Sequence, residues 1–127
     1  MTHGFTTALA VAVAGAAGTL GRYGATLLGL RWFGPRFPWA TLAINVVGAF
    51  AVGLVMASFA ARDLLDSRLR IALSAGFLGG FTTYSSFAFE TVDLVERRGG
   101  ALAVAYVAAT LVLGIAGCGA GIWLGRR

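Results

Sequence analysis

Residues 37–61 read FPWATLAINVVGAFAVGLVMASFAA, and no side chain among them carries a charge. A helix needs about 20 apolar residues to cross the hydrocarbon core of a bilayer, so this stretch is long enough to span a membrane once. Residues 1–21, 71–89 and 99–125 are also free of charged side chains. The sequence therefore predicts an all-α membrane protein with four transmembrane helices, at about residues 5–30, 38–61, 70–95 and 101–125.

The composition leaves no room for a soluble domain. Of the 127 residues, 58% are hydrophobic and only 12% are charged, whereas about a quarter of the residues in a typical soluble domain are charged. We therefore treat residues 1–127 as a single four-helix transmembrane subunit.

All ten basic residues are arginine, and they flank the apolar stretches instead of forming one basic face. This pattern is typical of helix ends at lipid headgroups and argues against nucleic-acid binding, which needs clustered basic residues. Four spans would put one set of arginines on the side of the termini and the other set on the opposite side. The first set is Arg62, Arg68, Arg70, Arg126 and Arg127, and the second is Arg31, Arg36, Arg97 and Arg98, with Arg22 if its side chain reaches that way.

This nearly balanced count bears on orientation, because arginine excess normally marks the cytoplasmic side. Without an excess, we expect insertion in both orientations and an antiparallel, dual-topology homodimer. The alternative is that one loop dominates and sets a single orientation.

Residues 76–90, GFLGGFTTYSSFAFE, predict a third helix that is broken in mid-membrane. A glycine pair followed by four Ser and Thr residues is poor helix material at that depth. Irregular backbone is tolerated there only where it is buried in protein or lines a cavity, and broken membrane helices offer carbonyls to cations and N–H groups to anions. The alternative is a continuous helix whose hydroxyls bond back to the i−4 carbonyls.

Polar side chains in the other helices each allow two interpretations. Arg22 either anchors the first helix at the headgroups or concentrates anions at a pore mouth. Asn45 either bonds a neighbouring helix or donates an N–H to a passing anion. The fourth helix aligns Tyr106, Thr110 and Gly114 at i+4 spacing, which predicts a packing seam of small residues or a stripe of hydroxyls beside a pore.

Three motifs resemble the Fluc/CrcB family of fluoride channels, and together they extend over most of the chain. They are Gly15-Ala-Ala-Gly18 with Arg22-Tyr23, TLAINVVGAF at residues 41–50, and GFLGGFTTYSSF at residues 76–87. The resemblance implies a fluoride-selective channel in the cytoplasmic (inner) membrane. It would export fluoride down its electrochemical gradient, confer fluoride resistance, and have two pores per antiparallel homodimer.

The resemblance also assigns roles to particular residues. It implies a fluoride path with an aromatic, amide and hydroxyl lining, made by Asn45, Tyr84, Ser86, Phe87, Tyr106 and Thr110. A structural Na⁺ at the dimer centre would be held by the backbone carbonyls of Gly79 and Thr82. Glu90 matches the acidic residue that follows the aromatic motif, and Arg22 is the candidate pore-mouth charge. Two positions depart from the family pattern: Tyr84 stands where phenylalanine is usual, and Gly114 where a second serine is common.

One alternative function remains, a dual-topology proton-coupled small-molecule antiporter built from four-helix subunits. Such exchange requires a carboxylate deep in the membrane, and of the acidic residues only Glu90 could lie within a span. We do not expect an enzyme, because the sequence contains no acid–base pair or nucleophile–histidine set, and its single histidine, His3, lies at the terminus.

Overall fold

The regular structure of this protein is entirely helical in the part that the computed structural model describes, residues 2–62 and 67–127. This confirms the all-α prediction. In chain order the elements are α1 (Thr2–Phe33), α2 (Trp39–Arg62), α3 (Ser67–Ile71), a π-helical segment (Ala72–Leu78), α4 (Gly79–Phe81), α5 (Tyr84–Arg98) and α6 (Gly100–Gly125).

Within the described residues, three helices are long and apolar enough to cross a membrane. They cover Gly4–Phe33, Trp39–Ala60 and Gly100–Gly125, and overlap the first, second and fourth predicted spans. The sequence of the predicted third span, 70–95, is divided among shorter helical pieces, none of which reaches the length that a bilayer requires. The protein is thus a multi-pass membrane protein, and its described residues include three continuous helices long enough to span a bilayer.

Helices α2 and α6 form the most extensive helix pair, and glycine allows their close approach. Gly121 faces Phe50 and Gly125 faces Leu54, so the two helices run parallel. A Cβ atom at Gly125 would lie 2.6 Å from the Leu54 carbonyl oxygen, which is too close for any side chain, and small residues commonly enable such membrane helix contacts. Gly114 lies outside this seam, since a Cβ atom there would meet nothing within 4 Å.

Helix α1 packs in a similar way against the π-helical segment and α4. A Cβ atom at Gly80 would lie 2.5 Å from the Gly15 carbonyl oxygen, and one at Gly76 would lie 2.9 Å from the Val11 carbonyl oxygen. The two backbones run parallel and touch through these glycines. The π-helical geometry of Ala72–Leu78 was not predicted from the sequence; it belongs to the segment that makes this contact.

The helical backbone is interrupted at Thr82 and Thr83, between α4 and α5. Thr82 has φ −77° and ψ 160°, and Thr83 has φ −150° and ψ 116°, so both are extended. Gly79, by contrast, is helical with φ −63° and ψ −37°. The irregular backbone therefore lies at the two threonines and not at the Gly79–Gly80 pair, because Gly80 is used for close packing against α1.

A cluster of buried apolar residues lies between α2, α5 and α6. It comprises Leu42, Leu94, Ala103 and Tyr106, with Phe37, Phe87 and Ala109 packed against it. Large apolar side chains elsewhere are exposed on the single subunit, among them Phe5, Tyr84 and Ile115. A chain with so many exposed apolar side chains needs an apolar environment around it, which a bilayer provides.

Candidate functional site

An open cleft of about 430 Å³ lies beside the interruption at Thr82–Thr83. Its walls come from α2, the π-helical segment, α4, the interruption, α5 and α6, and they are mostly apolar. Its polar lining residues are Asn45, Ser74, Thr82, Thr83, Tyr84 and Thr110. An apolar cleft with a few converging polar groups is the usual form of a ligand site.

Asn45 holds the interrupted backbone in place. Its Nδ2 group donates to the Thr83 carbonyl oxygen at 3.0 Å, while the Thr83 N–H donates to Asn45 Oδ1 at 2.9 Å. This reciprocal pair replaces helical hydrogen bonds where backbone groups at membrane depth must be satisfied internally. An amide nitrogen carries two hydrogens, so Asn45 can bond a neighbouring element and still offer one donor to the cleft.

Thr83 also starts helix α5. Its Oγ1 atom accepts the Ser86 N–H at 3.2 Å and donates to Ser86 Oγ at 3.1 Å, which is the bonding of an N-cap residue. The hydroxyl of Ser86 is therefore engaged by Thr83, and Ser86 is absent from the described cleft lining. Sequence reasoning did not single out Thr83, although a threonine just before a helix start is a common N-cap signal.

The same bonds remove the helical donors of two carbonyl groups. In a continuous helix, the Gly79 carbonyl would accept the Thr83 N–H and the Thr82 carbonyl would accept the Ser86 N–H. The first N–H instead bonds Asn45, and the second bonds the Thr83 side chain. Gly79 and Thr82 both line the cleft, and their carbonyls, without helical donors, are neutral oxygen groups of the kind that small hard cations prefer.

The residues thus fit the implied sodium through backbone oxygens. Among the described residues, no group of three or more His, Cys, Asp or Glu side chains could hold a metal ion.

Three aromatic rings lead from the surface to the core. Tyr84 is 81% exposed, and its ring centroid lies 6.0 Å from that of Phe87. The Phe87 ring lies 5.3 Å from the fully buried ring of Tyr106. Phe87 therefore lines the cleft on one side and packs on the core on the other.

Thr110 follows Tyr106 by one helical turn and also lines the cleft. Its Oγ1 atom is buried and has no hydrogen-bond partner within the described chain. A buried hydroxyl without a partner is costly, and such groups require an explanation. A wall residue of the cleft thus carries a buried hydroxyl whose hydrogen-bonding capacity is unused.

Glu90 lies on the far side of Phe87, where two hydroxyls bond its carboxylate. Thr41 Oγ1 donates to Oε1 at 2.7 Å, and Tyr106 Oη donates to Oε2 at 2.7 Å. Thr41 is only 4% exposed, and its side chain was not among the predicted site residues. Its position one turn before Asn45 on the same face of α2 was the available signal.

Arg22 lies apart from these groups. It is on α1, one turn after Gly18, and is partly exposed. Within the described chain it forms no ion pair, and it does not belong to the cleft lining. The structure thus brings together Asn45, Tyr84, Phe87 and Thr110 at the cleft and leaves Arg22 separate.

Comparison with known proteins agrees with the resemblance read from the motifs. Residues 9–122 match the family model described as CrcB-like protein, Camphor Resistance (CrcB). A protein of Agrobacterium fabrum is 45% identical over 92% of this chain and 94% of its own length. Proteins of Sorangium cellulosum and Geobacter sulfurreducens are each 44% identical, over 92% and 96% of this chain and 92% and 98% of their own lengths.

Each of these three relatives is named "Fluoride-specific ion channel FluC". Their names describe a channel and not an enzyme, in agreement with the prediction. Because both the family model and the relatives cover almost the whole chain, this protein belongs to the CrcB family.

Proposed function

We propose that this chain is one subunit of a fluoride-specific channel that lets fluoride leave the cell down its electrochemical gradient. The observation that carries this proposal is the cleft beside the interrupted helix. Its mostly apolar walls include residues with neutral hydrogen-bond donors, the Asn45 amide and the buried, unpartnered Thr110 hydroxyl. The relatives named as fluoride-specific channels support fluoride as the ion.

The chemistry of the cleft suits passage better than storage. Fluoride binds water strongly, so a pore must replace that water with donors that do not trap the ion. The Asn45 amide and the Thr110 hydroxyl are neutral donors, and the edges of aromatic rings such as Phe87 carry partial positive charge. No arginine occurs at residues 37–61, 71–96 or 99–125, so the parts of the helices that line the cleft contain no strong cationic ligand.

A four-span subunit is part of the proposal. The chain from α3 to α4 runs parallel to α1 where these segments pack together. Helix α5 ends near the start of α2, since its last residues and the residues just before α2 line one cavity. The path from α3 to α5 would complete a crossing in which extended backbone at Thr82–Thr83 separates two helical halves. Such backbone is acceptable at membrane depth because Asn45 and the Thr83 side chain satisfy its N–H groups.

The proposal includes an antiparallel homodimer with two pores, and three features support the dimer. The arginines are nearly balanced between the two sides, the aromatic Tyr84 is exposed on the single subunit, and two carbonyls per chain are too few ligands for a cation. A second copy crossing at the interruption would supply the same oxygens again, so that Gly79 and Thr82 of both copies hold a structural Na⁺. We place this dimer in the cytoplasmic membrane, where it would relieve fluoride accumulation.

Flux measurements on the purified protein in liposomes test the proposal. With a fluoride gradient and a potassium ionophore present, we expect fluoride efflux that far exceeds chloride efflux under a matched gradient. Liposomes without protein provide the baseline. Equal efflux of the two anions, or no efflux of either from correctly folded protein, would refute a fluoride-specific channel.

A further inference from the structure

A second cavity, of about 490 Å³, lies at the end of the subunit where α1 ends, α2 begins and α5 ends. It is separate from the cleft and has a more polar lining. Three of its lining residues are arginines, namely Arg36, Arg97 and Arg98, and Glu90 forms part of its wall. None of these three arginines was among the predicted site residues.

The side chain of Tyr106 contacts residues that line this cavity and a residue that lines the cleft. On one side its ring contacts Phe87, a cleft residue, with 5.3 Å between centroids. On the other side it contacts two residues of the cavity: the ring of Phe37 is 5.5 Å away, and Glu90 Oε2 accepts its hydroxyl hydrogen at 2.7 Å. Tyr106 therefore contacts residues of both spaces, and Thr110 is one turn away from it.

The charges around the cavity do not cancel. Arg97 forms an ion pair with Asp93 on its own helix. In the described part of the chain, neither Arg36 nor Arg98 pairs with a carboxylate, and Glu90 is bonded by hydroxyls instead of a cation. Two guanidinium groups thus face one carboxylate, which leaves the cavity with an excess of positive charge.

We propose that this cavity is the second mouth of the ion path, and that Arg36 and Arg98 concentrate fluoride there. The proposal rests on the proposed channel function and adds the route beyond Tyr106, together with the residues that supply the ion. In water, a unit charge about 7 Å from an anion attracts it by roughly the thermal energy RT, which raises its local concentration about threefold. The attraction extends over ~30 Å at 0.01 M salt but only ~3 Å at 1 M.

The test compares fluoride flux at low and high ionic strength in liposomes of neutral phosphatidylcholine. The double variant Arg36→Gln/Arg98→Gln should conduct about fivefold less than the unaltered protein in about 0.01 M sodium gluconate, and nearly the same in about 1 M. The matched control is Arg31→Gln. Arg31 is exposed at the same end of α1 but does not line the cavity, so its flux should change little at either ionic strength.

The ratio of the two fluxes within one preparation does not depend on how much protein is folded. A double variant whose flux ratio equals that of the unaltered protein would overturn the proposal, while fluoride flux by the unaltered protein would still support the channel. An equal effect of Arg31→Gln would also overturn it, since the charge would then act from the general surface. So would a salt effect that occurs only with anionic phosphatidylglycerol in the membrane, which would make the cavity a lipid headgroup site.

Discussion

Replacing Asn45 by aspartate separates the two roles that the structure gives this side chain. In the unaltered protein the Thr83 nitrogen lies 2.9 Å from Asn45 Oδ1. Asn45→Asp keeps an oxygen there that can accept this N–H. It removes the Nδ2 donor and sets a carboxylate against the Thr83 carbonyl oxygen. The Thr83 carbonyl, which as the N-cap carbonyl still accepts the first N–H of α5, then loses one of its two donors, which costs about 0.5–1.5 kcal/mol of folding free energy.

The effect on conduction should be much larger than the effect on folding. A carboxylate about 4 Å from a passing anion repels it by roughly 4 kcal/mol at the effective dielectric constant of about 20 that suits sites near a protein surface. Since about 1.36 kcal/mol corresponds to a tenfold change in rate, fluoride flux should fall about 10³-fold. The protein should nevertheless remain folded.

Asn45→Leu provides the comparison, because it has a similar size but carries no charge. It leaves the Thr83 N–H without a partner and removes one of the two donors to the Thr83 carbonyl, so folding should lose roughly 2–4 kcal/mol, more than in Asn45→Asp. Thermal stability in detergent, followed by size-exclusion chromatography, and liposome flux per folded protein measure the two effects. A flux of Asn45→Asp within about twofold of the unaltered protein would be incompatible with the repulsion calculated above. In that case Asn45 only holds the backbone and does not face the ion.

Four further predictions test packing, the pore and the cation. Gly121→Val should destabilise the α2–α6 pair by about 3 kcal/mol or more through overpacking. The control Gly114→Ala should change the free energy of unfolding by no more than about 0.5 kcal/mol. Denaturant unfolding in detergent measures both, and equal losses would contradict the close approach at Gly121. Phe87→Ile keeps an apolar side chain but removes the ring edge, so liposome flux should drop while the elution volume of the folded protein is unchanged, and normal flux would reduce Phe87 to a packing role. Glu90→Gln should leave downhill fluoride movement sensitive to voltage and independent of a proton gradient, and the loss of a proton-driven uphill flux in this variant would favour the antiporter. Replacing sodium by a large organic cation should slow or stop fluoride flux. Thr82→Ser keeps the backbone carbonyl and should therefore retain this sodium dependence. Full fluoride flux without sodium would remove the cation from the mechanism.

The sequence was enough to predict helices and their membrane location. A charge-free run of this length can pair all of its own backbone N–H and C=O groups only as a helix, and it must do so because lipid offers no partner for them. The motif around residues 76–87 was also enough to predict the family, which the relatives over nearly the full chain length confirm. The same motif predicted irregular backbone but not its position, since composition alone could not tell a glycine used for packing from a glycine used for a break.

Tertiary structure decided which partners each polar group has. Asn45 and Thr83 are far apart in the sequence, so no local pattern could predict their reciprocal hydrogen bonds or the carbonyls of Gly79 and Thr82 that lose helical donors as a result. Likewise, Thr41, Glu90 and Tyr106 come from three different helices and meet only when those helices pack. Helical periodicity determines the face on which a residue lies, whereas the depth at which two helices meet depends on the close contacts of residues such as Gly80 and Gly121. The sequence therefore determined the class, the environment and the family of this protein, and packing determined which donors face the cleft and which are used to hold it open.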